Sequence, residues 1–270
     1  MPSGYALRLC PPDGITSEPR VDGFGAQLAS LISVYTWARH RHTTYCQTPF
    51  DKMEHRTGQT PAELFAFIGG AAYGPRANVS TARISERHAA LAMLRAPAAW
   101  HPDPRRFYHE ALPKPPLRWF AGGGVHVAVH VRRGDVSYKR LQGRWLSNGL
   151  VALCAMRTLD VLRATMPASS IHMHIFSQGA PADFGSLLKL PRVSLHLDEP
   201  LMDTFHHMVH ADALVMAGST LSDVAAWMGG RESSSNRGKR RRGPMRVFAH
   251  PHAEGLLKYM HRDLNITRCA

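Results

Sequence analysis

No stretch of this 270-residue chain stays apolar for the length that a membrane span requires. Its first residues, Met1-Pro2-Ser3-Gly4-Tyr5, offer neither a basic n-region nor an apolar h-region, so no signal peptide is read from them. Cysteine is scarce. The four present, Cys10, Cys46, Cys154 and Cys269, are widely spaced with no C-x-x-C pair. That argues against a zinc ribbon and against a dense disulfide scaffold, and leaves the redox compartment open. Acidic residues are also short, 20 against 33 Lys and Arg, for a net charge of +13. A basic balance suits an anionic partner, either a nucleic acid or a small phosphorylated ligand.

What is present belongs to a soluble globular protein, with 44% hydrophobic and 20% charged residues. Much of the charge is local. The segment 231–243 holds Arg231, Arg237, Lys239, Arg240, Arg241 and Arg242 against Glu232 alone. With Ser233-Ser234-Ser235, the stretch 230–243 reads as a low-complexity surface loop. It lacks interleaved aromatics for base stacking, so no nucleic acid is expected as partner. Two glycosylation tripeptides occur, Asn78-Val79-Ser80 and Asn265-Ile266-Thr267; they matter only in a secretory compartment.

The second half alternates strands with helices. Strand-length apolar runs occur at 125–131, 171–176, 193–197, 213–217 and 245–249. Helical periodicity lies between them, at 147–166 with Ser147 as N-cap, at 201–210 and at 220–229. This alternation implies a mainly parallel sheet with right-handed crossovers, hence a Rossmann-like domain over 119–270. The first half, 1–118, is less regular. It predicts a helix from Phe24 to about Arg39 behind the turn Gly23-Phe24-Gly25, a short strand at 43–48 and a helix at 85–95. Six prolines within 97–116 are expected to oppose regular helix and to form a linker.

Chemistry concentrates where strands end. His130-Val131-Arg132-Arg133-Gly134-Asp135 follows a buried strand, and the carboxyl end of a parallel strand is where open α/β sheets bind ligands. Adjacent guanidiniums there are forks for phosphate oxygens, with Asp135 bracing one of them; the alternative is a structural ion pair. Gly23-Phe24-Gly25-Ala26-Gln27 at a helix start could admit a phosphate or be an ordinary tight turn. Ser219-Thr220-Leu221-Ser222 could hold phosphate or cap a helix. Ser177-Gln178-Gly179 ends another strand and is equally explained as a turn. Asp203, His206, His207 and His210 share one helix; no further ligand is tied to them by spacing, so a metal is the less favoured reading. His126 and His130 fall on one face of their strand, His172 and His174 on one face of theirs, as hydrogen-bonded sheet residues.

The motif His130-x-Arg132-Arg133-x-Asp135 after a parallel strand resembles the signature of the fucosyltransferase superfamily of α1,2-, core α1,6- and protein O-fucosyltransferases. Gly23-Phe24-Gly25-Ala26-Gln27-Leu28 is similar to an N-terminal turn of the core α1,6 branch. Asp203 through Val215, with Ser219-Thr220-Leu221-Ser222, resembles its late donor-site block. The three occur in the same order and span roughly residues 20–230. The resemblance implies a GT-B-like α/β architecture of two Rossmann-like domains, acceptor-side at 1–118 and GDP-sugar-binding at 119–270. It implies inverting transfer of fucose from GDP-fucose to a glycan or protein acceptor, with no metal or other cofactor. By position, Arg132 would hold the β-phosphate and stabilise the leaving diphosphate, and Arg133 would support the loop. His130 and Asp203 would contact guanosine. Ser219, Thr220 and Ser222 would lie at the phosphates, and Gly23, Gly25 and Gln27 would belong to the turn that admits the diphosphate from the other domain. The family's glutamate beyond the Arg pair is missing, because 136–145 holds no carboxylate. A GDP-sugar-binding relative without transfer is therefore the alternative, with a basic nucleic-acid-associated protein the less favoured one. The compartment is left open: the Golgi or ER lumen if an anchor is missing from this chain, otherwise the cytoplasm.

Overall fold

In the computed structural model, which describes residues 9–53, 58–95, 101–139, 144–164, 167, 170–229, 245–249 and 266–269, the chain forms an α/β protein of two units, Met1–Lys114 and Pro115–Ala270. The first unit is organised by one helix. β1 (Ile15–Ser17) leads to α1 (Phe24–His40), then α2 (Pro61–Phe67), β2 (Ala82–Ile84), α3 (Glu86–Arg95) and α4 (Asp103–Glu110). β1 and β2 pair in parallel. α1 is buried nearly all round, through Leu28, Leu31, Ile32, Val34 and Tyr35, as expected of a helix without a wide polar face. Tyr35, Tyr45, Tyr73 and Phe107 meet edge to face around it.

Two expectations for this unit need correction. The proline-rich stretch 97–116 does contain a helix, α4. Its Pro104 lies in the first turn, where a missing N–H costs no hydrogen bond, and Pro113, Pro115 and Pro116 come after the helix ends. The strand expected at 43–48 is reduced to isolated bridges, Ile15 with Tyr45 and Gln47 with Arg76.

The second unit is a single six-stranded sheet. Its elements are β3 (Val125–His130), α5 (Asn148–Arg163), β4 (Ile171–Ser177), β5 (Val193–Leu197), α6 (Leu201–His210), β6 (Ala213–Met216), α7 (Thr220–Met228), β7 (Arg246–Ala249) and β8 (Ile266–Arg268). Every pairing is parallel and the strand order is β5-β4-β3-β6-β7-β8. Counted within this unit, that is the doubly wound order 3-2-1-4-5-6. Ser147 caps α5 as expected, accepting from Leu150 N at 3.2 Å. Among the described residues no helix is long and apolar enough to cross a membrane. The basic stretch 230–243 and Asn265 lie outside the described residues. The cysteines form two disulfides, Cys10–Cys46 in the first unit and Cys154–Cys269 in the second. Closing loops of 36 and 115 residues, they stabilise by about 4 and 5 kcal/mol in the chain-entropy model.

Because side chains alternate along a strand, the sheet presents two chemically different faces. One carries Val127, Val129, Ile171, Met173 and Ile175, packed on α5 through Val151, Cys154 and Leu159. The other carries imidazoles. His126 Nδ1 lies 3.1 Å from His174 Nε2, and His174 Nδ1 lies 3.1 Å from His196 Nε2, so the three rings form a chain across β3, β4 and β5. Trp119 and Phe120 cover this chain. Phe120 stacks on His126 at 4.6 Å, Trp119 lies 4.6 Å from His196, and Trp119 N donates to His207 Nε2 at 3.2 Å. Each nitrogen of His174 faces a different neighbour, an arrangement for shared protons rather than for chelation.

Burial holds two of these imidazoles, His174 and His196, neutral. It pushes His174 down to about 3 and His196 down to about 4, with neighbouring imidazoles and Arg118 adding to the effect. Unfolded histidines protonate below about pH 6.5, whereas the folded ones resist until about pH 4. The unfolded state then binds more protons, so the stability that is complete above pH 6.5 is lost as the pH falls through this window. Each histidine contributes a slope of about 1.4 kcal/mol per pH unit at most. Urea unfolding between pH 7 and 5.5, above most of the range where ordinary carboxylates titrate, should show a falling midpoint. His174→Phe should lessen that dependence, with His130, His196 and His207 still contributing; a wild-type midpoint independent of pH would contradict the buried neutral imidazoles.

Candidate functional site

In a doubly wound sheet the crevice opens where successive crossovers leave in opposite directions, at the carboxyl ends of the two central strands. Here those strands are β3 and β6, paired with Val129 opposite Val215. The chain leaving β3 is His130 to Asp135, and the chain leaving β6 is Ala217 to Thr220. Neighbouring strands lie about 4.8 Å apart, so two of the three motifs singled out in the sequence emerge side by side.

The loop after β3 is held rigidly. Val131 N donates to Phe176 O at 3.0 Å, and Ser177 Oγ donates to Val131 O at 2.7 Å. Gly134 adopts φ +80, a left-handed conformation, and a Cβ there would lie 2.5 Å from Gln178 Oε1. Ser177 and Gln178, readable in the sequence as a turn, are thus the supports of the Arg loop. The two arginines have different surroundings. Arg133 is spent on scaffolding: Nη1 donates to Arg132 O at 2.8 Å, and Nη2 donates to Leu146 O at 3.0 Å and Asn148 Oδ1 at 2.7 Å. Its guanidinium also lies over Trp145 at 5.3 Å. Arg132 is gripped on one edge only, by Asp135, with Nε at 3.3 Å from Oδ1 and Nη2 at 2.6 Å from Oδ2. Its Nη1 has no partner among the described residues.

His130 ends β3 with 7% of its surface exposed. Its Nδ1 is buried without a hydrogen-bond partner among the described residues. Burial, with the Arg132 charge beside it, pushes its pKa down to about 4, so the ring is neutral at working pH. A buried unpaired ring nitrogen costs free energy unless a ligand or water meets it. Across the crevice, Ser219 is the N-cap of α7, its Oγ accepting from Leu221 N at 3.3 Å. Thr220 is the first helical residue. Ser222 is fully buried and its Oγ donates to Ser219 O at 2.8 Å, bracing the cap from inside. Asp203 sits in the first turn of α6, facing Arg118 at 3.6 Å, which also pairs with Glu199 at 3.2 Å. His207 and His210 direct Nδ1 at helix carbonyls four residues back, those of Asp203 and His206. Among the described residues no group of three or more His, Cys, Asp or Glu is arranged to hold a metal.

The third motif lies in the first unit. Gly23 is the extended N-cap of α1, with no side chain capping the turn, and Gly25 is buried in the first turn. Gln27 is also buried; its Nε2 donates to Asp22 O at 2.8 Å and Lys52 O at 2.6 Å, pinning the turn to the segment that follows α1. A shallow pocket beside it is lined by Glu18, Arg20, Thr48 and Phe50. Asn148 was not singled out in the sequence. Its only signal there is its place immediately after the Ser147 cap, one turn from a loop with an arginine to satisfy.

Two substitutions probe the loop. Gly134→Ala forces an L side chain into left-handed backbone, about 1–2 kcal/mol, and should lower Tm by roughly 2–8 °C. Asn148→Ala removes an acceptor from a half-buried charge, worth about 1.5–3 kcal/mol. Differential scanning calorimetry reads both, and a Tm unchanged by either would show that the loop is not held by these contacts.

No protein-family model matches the sequence, and no curated protein matches it. Among solved structures, the chain is similar to a NodZ alpha-1,6-fucosyltransferase soaked with GDP-fucose, at 11% identity and a TM-score of 0.43, over 81% of this chain and 93% of that one. It is similar to fucosyltransferase NodZ from Bradyrhizobium at 10% identity and a TM-score of 0.42, again over 81% and 93%. It is also similar to a mutant of Arabidopsis thaliana FUT1 in complex with GDP, at 11% identity and a TM-score of 0.42, over 87% of this chain and 70% of that one.

Proposed function

We propose that the chain binds a GDP-sugar on its C-terminal unit and transfers fucose from GDP-fucose to a glycan or protein acceptor, with inversion at the anomeric carbon. The observation that carries this reading is the convergence at the β3–β6 crevice. A half-satisfied arginine fork, a neutral histidine with a buried unpaired nitrogen and a Ser-capped helix start all open from adjacent strand ends. The H-x-R-R-x-D resemblance supplies the identity of the ligand.

Arg132 acts on the diphosphate. As an acceptor hydroxyl attacks the anomeric carbon, the bond to the β-phosphate breaks and charge builds on the leaving GDP. A guanidinium already oriented by Asp135 stabilises that charge with no reorganisation. Arg133 positions Arg132 by fixing the loop to the start of α5. His130 meets the nucleoside as a neutral partner, and Ser219 and Thr220 present the start of α7 to phosphate. The acceptor's base is not among 136–145, which contains no carboxylate. That observation favours a second reading, GDP-sugar binding without transfer.

Isothermal titration with GDP and GDP-fucose tests the donor site. Binding is expected, weakened roughly 10–100-fold by Arg132→Ala, the loss of a charged hydrogen bond to phosphate. Absence of any GDP or GDP-fucose binding by the wild-type chain would sink both readings. Donor hydrolysis and an acceptor screen then separate transfer from binding alone.

A further inference from the structure

We infer that Asn78 is a site of N-linked glycosylation, a modification of the first unit that stands independently of the GDP-sugar reading. Asn78, Val79 and Ser80 form the exposed tip of a turn, with Val79 97% exposed. The turn is closed by Thr81 N donating to Asn78 O at 3.2 Å. The side-chain carbonyl of Asn78 is doubly engaged: Oδ1 accepts from Ser80 N at 2.9 Å and from Thr81 Oγ1 at 3.1 Å. Nδ2 makes no hydrogen bond among the described residues. Donors on Oδ1 draw electron density from the carboxamide and make loss of an Nδ2 proton easier. These bonds span at most three residues, so the turn can form in the chain before the unit has folded.

The chemistry needs a co-substrate of defined class, an oligosaccharide carried on a lipid diphosphate. Nδ2 attacks the anomeric carbon of that sugar. A nitrogen–carbon bond forms, the carbon–oxygen bond to the diphosphate breaks, and the lipid diphosphate leaves with the electron pair. The Nδ2 proton passes to a base of the transferring enzyme.

A second observation points to the compartment where this occurs. The turn is docked on a cystine: Thr81 Oγ1 lies 3.4 Å from Cys10 Sγ, itself bonded to Cys46. Arg76, two residues before the tripeptide, bridges to Leu9 and Gln47, the neighbours of those two cysteines. The second unit's cysteines are paired as well, so no free cysteine remains. Disulfides persist in oxidising compartments, and an exposed Asn-x-Ser with a non-proline centre is the acceptor pattern read there.

The test uses the protein isolated from its own cells. Enzymatic release of N-glycans in heavy-oxygen water converts a glycosylated asparagine to a labelled aspartate, and peptide mass spectrometry reads the position of Asn78. A labelled aspartate in place of Asn78 is the expected result. A peptide carrying unmodified Asn78 overturns the inference, whatever is found at Asn265. A second measurement uses the full chain secreted from a eukaryotic host. Asn78→Gln and Ser80→Ala should each remove one glycan from the intact mass, while Ser80→Thr should retain it. Equal masses for wild type and Asn78→Gln, beyond the side-chain difference, would likewise refute it.

Discussion

The pairing of β3 with β6 is the constraint on which the candidate site depends. A parallel sheet that grew in one direction would leave its strand-end loops spread along an edge. Here the chain lays down β3, β4 and β5 outward, then returns through α6 to place β6 on the other flank of β3. The return makes neighbours of two loops about 90 residues apart in the chain and opens a crevice between them. Everything at the mouth follows from that register: an arginine fork from one strand, a helix start from the other, and a buried imidazole where the first strand ends.

The same sheet shows that a core need not be aliphatic. The α5 side is aliphatic, whereas the opposite side of β3, β4 and β5 carries imidazoles joined by nitrogen–nitrogen contacts of 3.1 Å and covered by Trp119 and Phe120. A buried polar ring is tolerable when its nitrogens are answered, and both nitrogens of the central ring, His174, meet a neighbouring imidazole. Burial disfavours the protonated form at His174 and His196, and a second proton on the chain would add repulsion between charged rings. Trp119 and Phe120, packed on this face, help exclude the water that a charged ring would need.

Much of the second unit was legible because its strands are short apolar runs with helical periodicity between them. Helix 201–210 matches α6 residue for residue, 193–197 matches β5, and the other expected strands differ by one residue at one end. The first unit was less so, for reasons particular to its elements. β1 and β2 have three residues each, too few for any period to be visible, and β8 is equally short. α4 hides behind prolines that sit where helices accept them. α2 carries a readable signal, the Thr60–Glu63 capping box with Pro61, but only seven residues of helix behind it. At the candidate site, residue types were visible but their division of labour was not. The tandem arginines look equivalent in sequence. Their difference comes from Leu146 and Asn148, which are 13 and 15 residues beyond Arg133 and reach it only through the fold.

The disulfide between Cys154 and Cys269 has a topological meaning beyond its stabilising role. It closes a covalent ring that begins in α5 and ends just past β8, and this ring contains five of the sheet's six strands together with the arginine-rich stretch. A protease that cut anywhere inside the ring would release nothing. Both pieces would migrate as one chain until a reductant was added, and the edge strand would stay tethered to the helix beneath the sheet. The most cleavable composition in the sequence thus lies where a single cut cannot separate the second unit into parts.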